Sequence, residues 1–460
     1  MATKYDVIIV GAGPAGIFSA LELSKLQPTW KVLVLEKGQD ITKRYCPMHD
    51  KHIPCQHCRH CAITSGWGGA GAYSDGKLTL TTEYGGWLGD FIGKRDLENT
   101  IAEVDQIYLN YGGSPIVYGM DEEKIKEIQR SAATADLKLL PAKIRHLGTD
   151  KNYEILVNMR KDLQDKVEVR TETAVEQFLV KDQTVVGVIL KDGTLIEGRY
   201  IIAAPGREGH EWFSEEAKRL KLPTTNNQVD IGVRVELPAV VMSHLTDAIY
   251  ESKFIYYSRS FDDQVRTFCM NPYGEVVMEN TRGLVTVNGH SYADKRTENT
   301  NFAILVAKTF THPFKEPITY GKNIAALANM LGEGVIVQRL GDLQSGRRST
   351  HERIQRGLVT PSLMEATPGD LSLVLPYRHM VSIMEMLEAL DKVAPGVASR
   401  HTLLYGVEAK FYSNRMQVSS QLETQVRNLF AVGDGAGITR GLVQASSAGL
   451  IAARAIAERE

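Results

Sequence analysis

The sequence predicts an α/β fold in which a largely parallel sheet is assembled from both ends of the chain around an inserted α+β region. Three observations predict it. Near the start, a β-branched run passes through a glycine triplet into a helical pattern, and the next strand ends on an acid. At the other end, a strand runs into a Gly-Asp turn and a helix of small residues. Between them, residues 167–171, 174–180 and 184–190 read as short strands bounded by turn residues.

The first element is Asp6-Val7-Ile8-Ile9-Val10, short and β-branched as a buried parallel strand is. It enters Gly11-Ala12-Gly13-Pro14-Ala15-Gly16, after which Ile17, Leu21 and Leu23 keep a helical pattern until Pro28. A second strand, residues 31–35, ends at Glu36, 20 residues beyond Gly16. Gly11 permits the tight turn, Gly13 lets the backbone approach a pyrophosphate, and Gly16 lets helix and strand pack closely. Pro14 and Ala15 open the helix, whose unpaired amides and partial positive charge suit phosphate. Glu36, with Lys37 beside it, stands where a carboxylate accepts hydrogen bonds from a ribose. This is a dinucleotide pattern, and it does not by itself separate FAD from NAD.

The C-terminal segment does. Residues 428–432 form a strand, Gly433-Asp434-Gly435-Ala436-Gly437 turns, and Gly441-Leu442-Val443 opens the last helix. The arrangement resembles the second flavin motif of glutathione-reductase-type flavoproteins. That resemblance implies FAD, with Asp434 on the ribityl chain and the helix start at Gly441, Leu442 and Val443 facing the flavin pyrimidine. A helix dipole there stabilises negative charge on reduced flavin. Asp192-Gly193 reads as a hairpin turn, and residues 200–203 lead to Ala204-Pro205-Gly206. This resembles the β-meander and Ala-Thr-Gly strand of the same superfamily, with proline in place of threonine and Val175, Ala204 and Gly206 near the cofactor.

The expected organisation is a Rossmann-like FAD-binding domain (glutathione-reductase type) of residues 1–90, 160–210 and 406–460. A helical insertion fills 91–159, and an α+β substrate or cap domain fills 211–405. Within the latter, 231–235 and 284–287 read as strands, and 303–310 and 381–390 as helices. No second glycine triplet with strand and acid appears, so NAD(P)H is expected only as a transient donor.

Four of the five cysteines, Cys46, Cys55, Cys58 and Cys61, crowd one stretch, while Cys269 stands apart. Such clustering indicates metal or redox chemistry in a reducing compartment rather than a secreted disulfide framework. The spacing accommodates a [4Fe-4S] cluster or a four-thiolate zinc site. It also accommodates a mixed site with His49, His52, His57 and His60, or metal-free thiols that exchange electrons with flavin. Iron–sulfur is placed first, because a flavin can use a one-electron partner.

A glycine-rich loop follows at 65–78, in which Gly68, Gly69, Ala70 and Ser74 let backbone amides wrap a planar ligand. This loop, the cysteine run and residues 433–445 resemble the FAD-dependent, NAD(FAD)-utilising dehydrogenases of bacteria and archaea. The likeness extends through 230–236 and 405–411, and it implies FAD and oxidoreduction without naming a substrate. Lys77 and Lys410 are then expected to reach flavin N5 or polarise a substrate carbonyl. Tyr405 and Glu408 are the expected proton donors. Arg347 and Arg348 suit a carboxylate or nicotinamide phosphate, and Cys269 a thiol near the flavin. Each also has a structural reading, as solvated charge or as packing.

The 53 Lys and Arg against 55 Asp and Glu leave a formal charge of −2, which argues against a phosphate-tracking nucleic-acid binder. A content of 43% hydrophobic and 23% charged residues is that of an ordered globular chain, and no apolar run is long enough to span a bilayer. Residues 5–20 lack the basic flank and cleavage site of a signal peptide, so a cytoplasmic protein is expected. The leading expectation is an FAD-dependent oxidoreductase moving a hydride or electron pair between flavin and a small organic substrate. The cysteine cluster would serve as electron relay and a one-electron carrier protein as partner. The alternatives are a flavin monooxygenase using NAD(P)H and O2, and a flavin electron-transfer subunit acting on a protein partner.

Overall fold

The β-branched N-terminal run forms strand β1 (Lys4–Val10), with Val7, Ile8 and Ile9 fully buried, in a computed structural model that describes residues 4–47, 56, 58, 60–74, 76–281, 283–291, 296–314 and 316–459. Helix α1 (Pro14–Leu26) begins with proline at its first turn and stops before Pro28, since the residue preceding a proline disfavours helix. Strand β2 (Val32–Leu35) pairs parallel with β1, and β3 (Leu195–Ala203) lies parallel on its other side. Leu429–Ala431 adds parallel to β3. Val175–Lys181 and Thr184–Leu190 continue from β3 as an antiparallel meander.

Residues 167–171 depart from expectation. Glu168–Arg170 pairs parallel with β2 instead of starting the meander. Without that partner, the fully buried β2 would leave a row of unpaired amides and carbonyls. Helix α2 (Leu442–Ala457) packs on α1 through Gly449, where a Cβ would lie 2.2 Å from the Ala15 carbonyl oxygen. Ser19 Oγ donates to the Gly449 carbonyl at 3.0 Å.

These elements belong to the first of two compact units, Met1–Ile116, Arg145–Asn227 and Tyr412–Glu460. Helix His210–Arg219 belongs there too, because Phe213 and Ala217 join its core.

The second unit comprises Val117–Ile144 and Gln228–Phe411. Its sheet runs in the order Thr367–Pro368, Ile336–Arg339, Leu403–Lys410, Val229–Pro238, Asn299–Lys308, Gln264–Asn271, Lys253–Tyr257, Leu137–Leu140. The stretch 91–159 is thus shared: Lys94–Asn110 and Thr149–Asp162 are helices of the first unit, and Glu122–Thr134 and Leu137–Leu140 belong to the second. Residues 303–308, expected as helix, lie in a strand. Both neighbours in the sheet bond to it, so tertiary pairing decides a run whose periodicity is ambiguous. The helix expected at 381–390 forms as Tyr377–Asp391.

Along Val229–Pro238, Ile231, Val233, Val235 and Leu237 enter the apolar core. Asp230, Arg234 and Glu236 alternate with them and are buried as well. Among the described residues, no helix is long and apolar enough to cross a membrane.

Candidate functional site

The three glycines of the first turn meet three different surroundings. Gly11 has a φ of +107°, and a Cβ there would lie 2.1 Å from the Ala204 carbonyl oxygen. A Cβ on Gly16 would lie 1.9 Å from the carbonyl oxygen of Gly11. Gly13 differs: its φ of −77° is ordinary, and among the described residues no side chain caps the helix it precedes and an added Cβ would meet nothing within 4 Å. Open space therefore adjoins the unpaired amides of α1, where an anion binds well.

Glu36, 5% exposed, accepts hydrogen bonds from the amides of Ala12 at 2.8 Å, Gly38 at 2.8 Å and Gly66 at 2.9 Å. The acid expected to meet a ribose thus clamps three backbone segments, with about one acceptor position left over. A cavity of about 730 Å³ opens beside it, lined by Lys37, Gly38, Arg170, Glu172, Ala174 and Thr194 among others. Lys37 pairs with Glu208, and Val175 is buried at the start of its strand.

The C-terminal turn folds back on the same region. Val432 N–H donates to the Ala203 carbonyl at 3.0 Å. A Cβ on Gly435 would lie 2.4 Å from the Gly206 carbonyl oxygen, and one on Gly433 3.2 Å from Ala15 Cβ. Asp434 Oδ1 accepts from Thr439 Oγ1 at 2.7 Å and from Gly441 N–H at 3.3 Å. Burial raises its pKa, while Arg207 and Arg440 oppose the rise. Gly441, like Gly13 and Gly206, would place a Cβ in open space.

The early glycine loop joins both helix starts. A Cβ on Gly71 would lie 2.7 Å from Leu442 Cδ2 and 3.6 Å from Pro14 Cγ, and one on Gly69 3.1 Å from Gly13 Cα. Gly68 adopts φ +88°, and Gly69 to Tyr73, including Ala70, form a short 3-10 turn. Ser74 Oγ donates back to the Gly71 carbonyl at 2.8 Å. Val443 is buried.

Two residues not singled out in the sequence hold this loop. The Arg44 guanidinium donates to the carbonyls of Ala62, Ile63, Trp67 and Gly69 at 2.6–3.0 Å. Burial lowers its pKa to about 10, so it stays cationic at neutral pH. Trp67 is fully buried and donates from Nε1 to the Leu156 carbonyl at 3.0 Å. Their partners are backbone carbonyls, which no sequence motif encodes.

The expected catalytic groups are divided between the units. Lys77 opens a strand of the first, Lys77–Leu80, and is half-buried. Lys410 lies in the second, with Nζ 3.1 Å from Glu408 and 5.8 Å from the centre of the Phe268 ring. Glu408 is fully buried against Arg234. Tyr405 is fully buried too, and its hydroxyl donates to Glu236 at 2.6 Å. Burial, with the Glu236 carboxylate second, raises the phenol pKa well above its usual value. The Tyr405 hydroxyl proton is thus engaged by an interior carboxylate.

Arg347 is not a free clamp, since it binds the buried Asp342 at 2.9 Å. Cys269 occupies a bulge with φ +47°, and its carbonyl accepts from Arg234 at 2.9 Å. Of the cysteine cluster, Cys46 and Cys61 are half-buried, Cys58 is exposed, and Cys55 lies outside the described residues. Among the described residues, no group of three or more His, Cys, Asp or Glu side chains is placed to hold a metal.

Residues 228–411 match the family described as FAD-dependent protein, C-terminal domain-like. This supports a dependence on FAD. An uncharacterized protein of Clostridium beijerinckii (strain ATCC 51743 / NCIMB 8052) is 26% identical over 481 residues, covering 99% of this chain and 81% of the relative. Among solved structures, a formate oxidase of Aspergillus oryzae RIB40 aligns with a TM-score of 0.47 at 11% identity, over 100% of this chain and 99% of that one. An L-proline dehydrogenase from P. horikoshii aligns with a TM-score of 0.40 at 12% identity, over 100% and 95%.

Proposed function

We propose that the first unit holds FAD and that the protein uses it to move a hydride or electron pair to or from a small organic substrate. One observation carries the reading: Gly71 lies against both Pro14 and Leu442, so three sequence-distant segments expected at a flavin converge within one unit. The residues fit the group. Gly13 leaves room beside the amides of α1 for a pyrophosphate, and the cavity next to Glu36 and Gly38 accommodates a nucleoside. Asp434, steadied by Thr439 and Gly441, offers a carboxylate to a polyol chain. When bound, the flavin supplies a two-electron acceptor and donor. Glu36 keeps the first glycine turn and the segment at Gly66 in register. Arg44 does the same for the second glycine loop.

The cysteine cluster as electron relay belongs to the same proposal, supported by its spacing. An absorption spectrum of anaerobically purified protein, before and after dithionite, tests both parts. Flavin bands that bleach on reduction are expected, and a broad brown shoulder would add an iron–sulfur cluster. Protein without a flavin spectrum, and unable to take up added FAD, would sink the reading.

A further inference from the structure

We propose that Trp87 and Tyr412 hold Arg440 as a fixed cation that favours the reduced, anionic state of the flavin in the first unit. This rests on the FAD reading above and concerns side chains with no part in it. The guanidinium carbon of Arg440 lies 3.7 Å from the centre of the Trp87 ring and 3.3 Å from that of Tyr412. A surface arginine samples many rotamers, but one stacked between two rings is held on both faces.

The backbone is shaped to allow it. Residues 84–87 run beside 438–440: Arg440 N–H donates to the Gly85 carbonyl at 2.7 Å, and Trp87 N–H to that of Ile438 at 2.8 Å. Gly85 and Gly86 adopt φ of +116° and +132°, and a Cβ on Gly86 would lie 2.6 Å from Thr439 Cα. Glycine at these positions is what lets the Trp87 ring approach the guanidinium.

The location gives the clamp a purpose. Arg440 sits between Thr439 and Gly441, the two residues that hydrogen-bond the Asp434 carboxylate, and directly before the open side of Gly441. Adding two electrons and one proton to oxidised flavin leaves one negative charge. A cation fixed at the entry of α2 acts on that charge together with the helix amides.

The test is the two-electron midpoint potential of the flavin-loaded protein, by reductive titration with dithionite against a reference dye. Arg440→Gln is expected to lower the reduced-to-oxidised ratio at least tenfold, a fall of about 30 mV. Arg440→Lys should fall less, and Trp87→Leu, which keeps the charge but frees it, should lie between wild type and Arg440→Gln. An unchanged potential in Arg440→Gln overturns the proposal. If that variant loses its flavin, the dissociation constants of oxidised and reduced FAD are compared on the apoprotein. A tenfold greater loss for the reduced form supports the proposal, and an equal loss overturns it. Wild-type protein that binds no flavin would instead overturn the functional reading beneath it.

Discussion

At the scale of single residues, the two helix-start glycines separate folding from binding. A methyl on Gly16 collides with the carbonyl oxygen of Gly11, whereas one on Gly13 meets no atom of the described residues within 4 Å. Gly13→Ala is therefore expected to leave the melting temperature of the apoprotein unchanged while weakening FAD binding at least tenfold, about 1.4 kcal/mol. Gly16→Ala should lower both. Flavin fluorescence titration and thermal unfolding of the two variants check this, and wild-type affinity in Gly13→Ala would count against a phosphate at α1. Glu36 teaches the same lesson from the other side. Its position announced an acid for a ribose, but its three backbone donors became visible only once the loops had closed around it.

At the scale of elements, the contact between α1 and α2 joins the two ends of the chain. Gly449 against Ala15, with Ser19 bonded across, brings the helices closer than any side chain at that position allows. Gly449→Ala is expected to cost about 1–3 kcal/mol through overpacking, read as a lower urea midpoint with an unchanged slope. A midpoint equal to that of wild type would show the helices free to part. The strand–turn–helix units on either side of this contact were legible from β-branched runs and glycines. The strand Asn299–Lys308 was not, since an apolar run of this kind suits helix or strand until its neighbours choose.

At the scale of the whole molecule, stability should depend on pH through a group far from any motif. Burial, helped by Lys308, depresses the His379 imidazole to about 4, and neither ring nitrogen has a hydrogen-bond partner among the described residues. The unfolded chain takes up this proton near pH 6.5, and the folded chain refuses it until about 4. Stability is then unaffected above 6.5 and falls as pH drops from 6.5 towards 4, by roughly 3 kcal/mol in all. Urea unfolding at pH 7 and pH 4.5 should show a smaller acid loss in His379→Phe than in wild type. An identical loss would mean that other groups account for it.

The amino-acid sequence by itself determined the elements at the two ends of the chain: which runs are strands, where the turns fall, and where glycine leaves the backbone free to make them. Those properties are local, set by side-chain shape and backbone freedom within a few residues. Tertiary structure alone decided that Gly71 meets Pro14 and Leu442, that Arg44 gathers four carbonyls, and that the Tyr405 hydroxyl donates to Glu236. Each of these depends on groups far apart in the chain, many of them backbone atoms common to every residue, and only the folded path brings them within bonding distance.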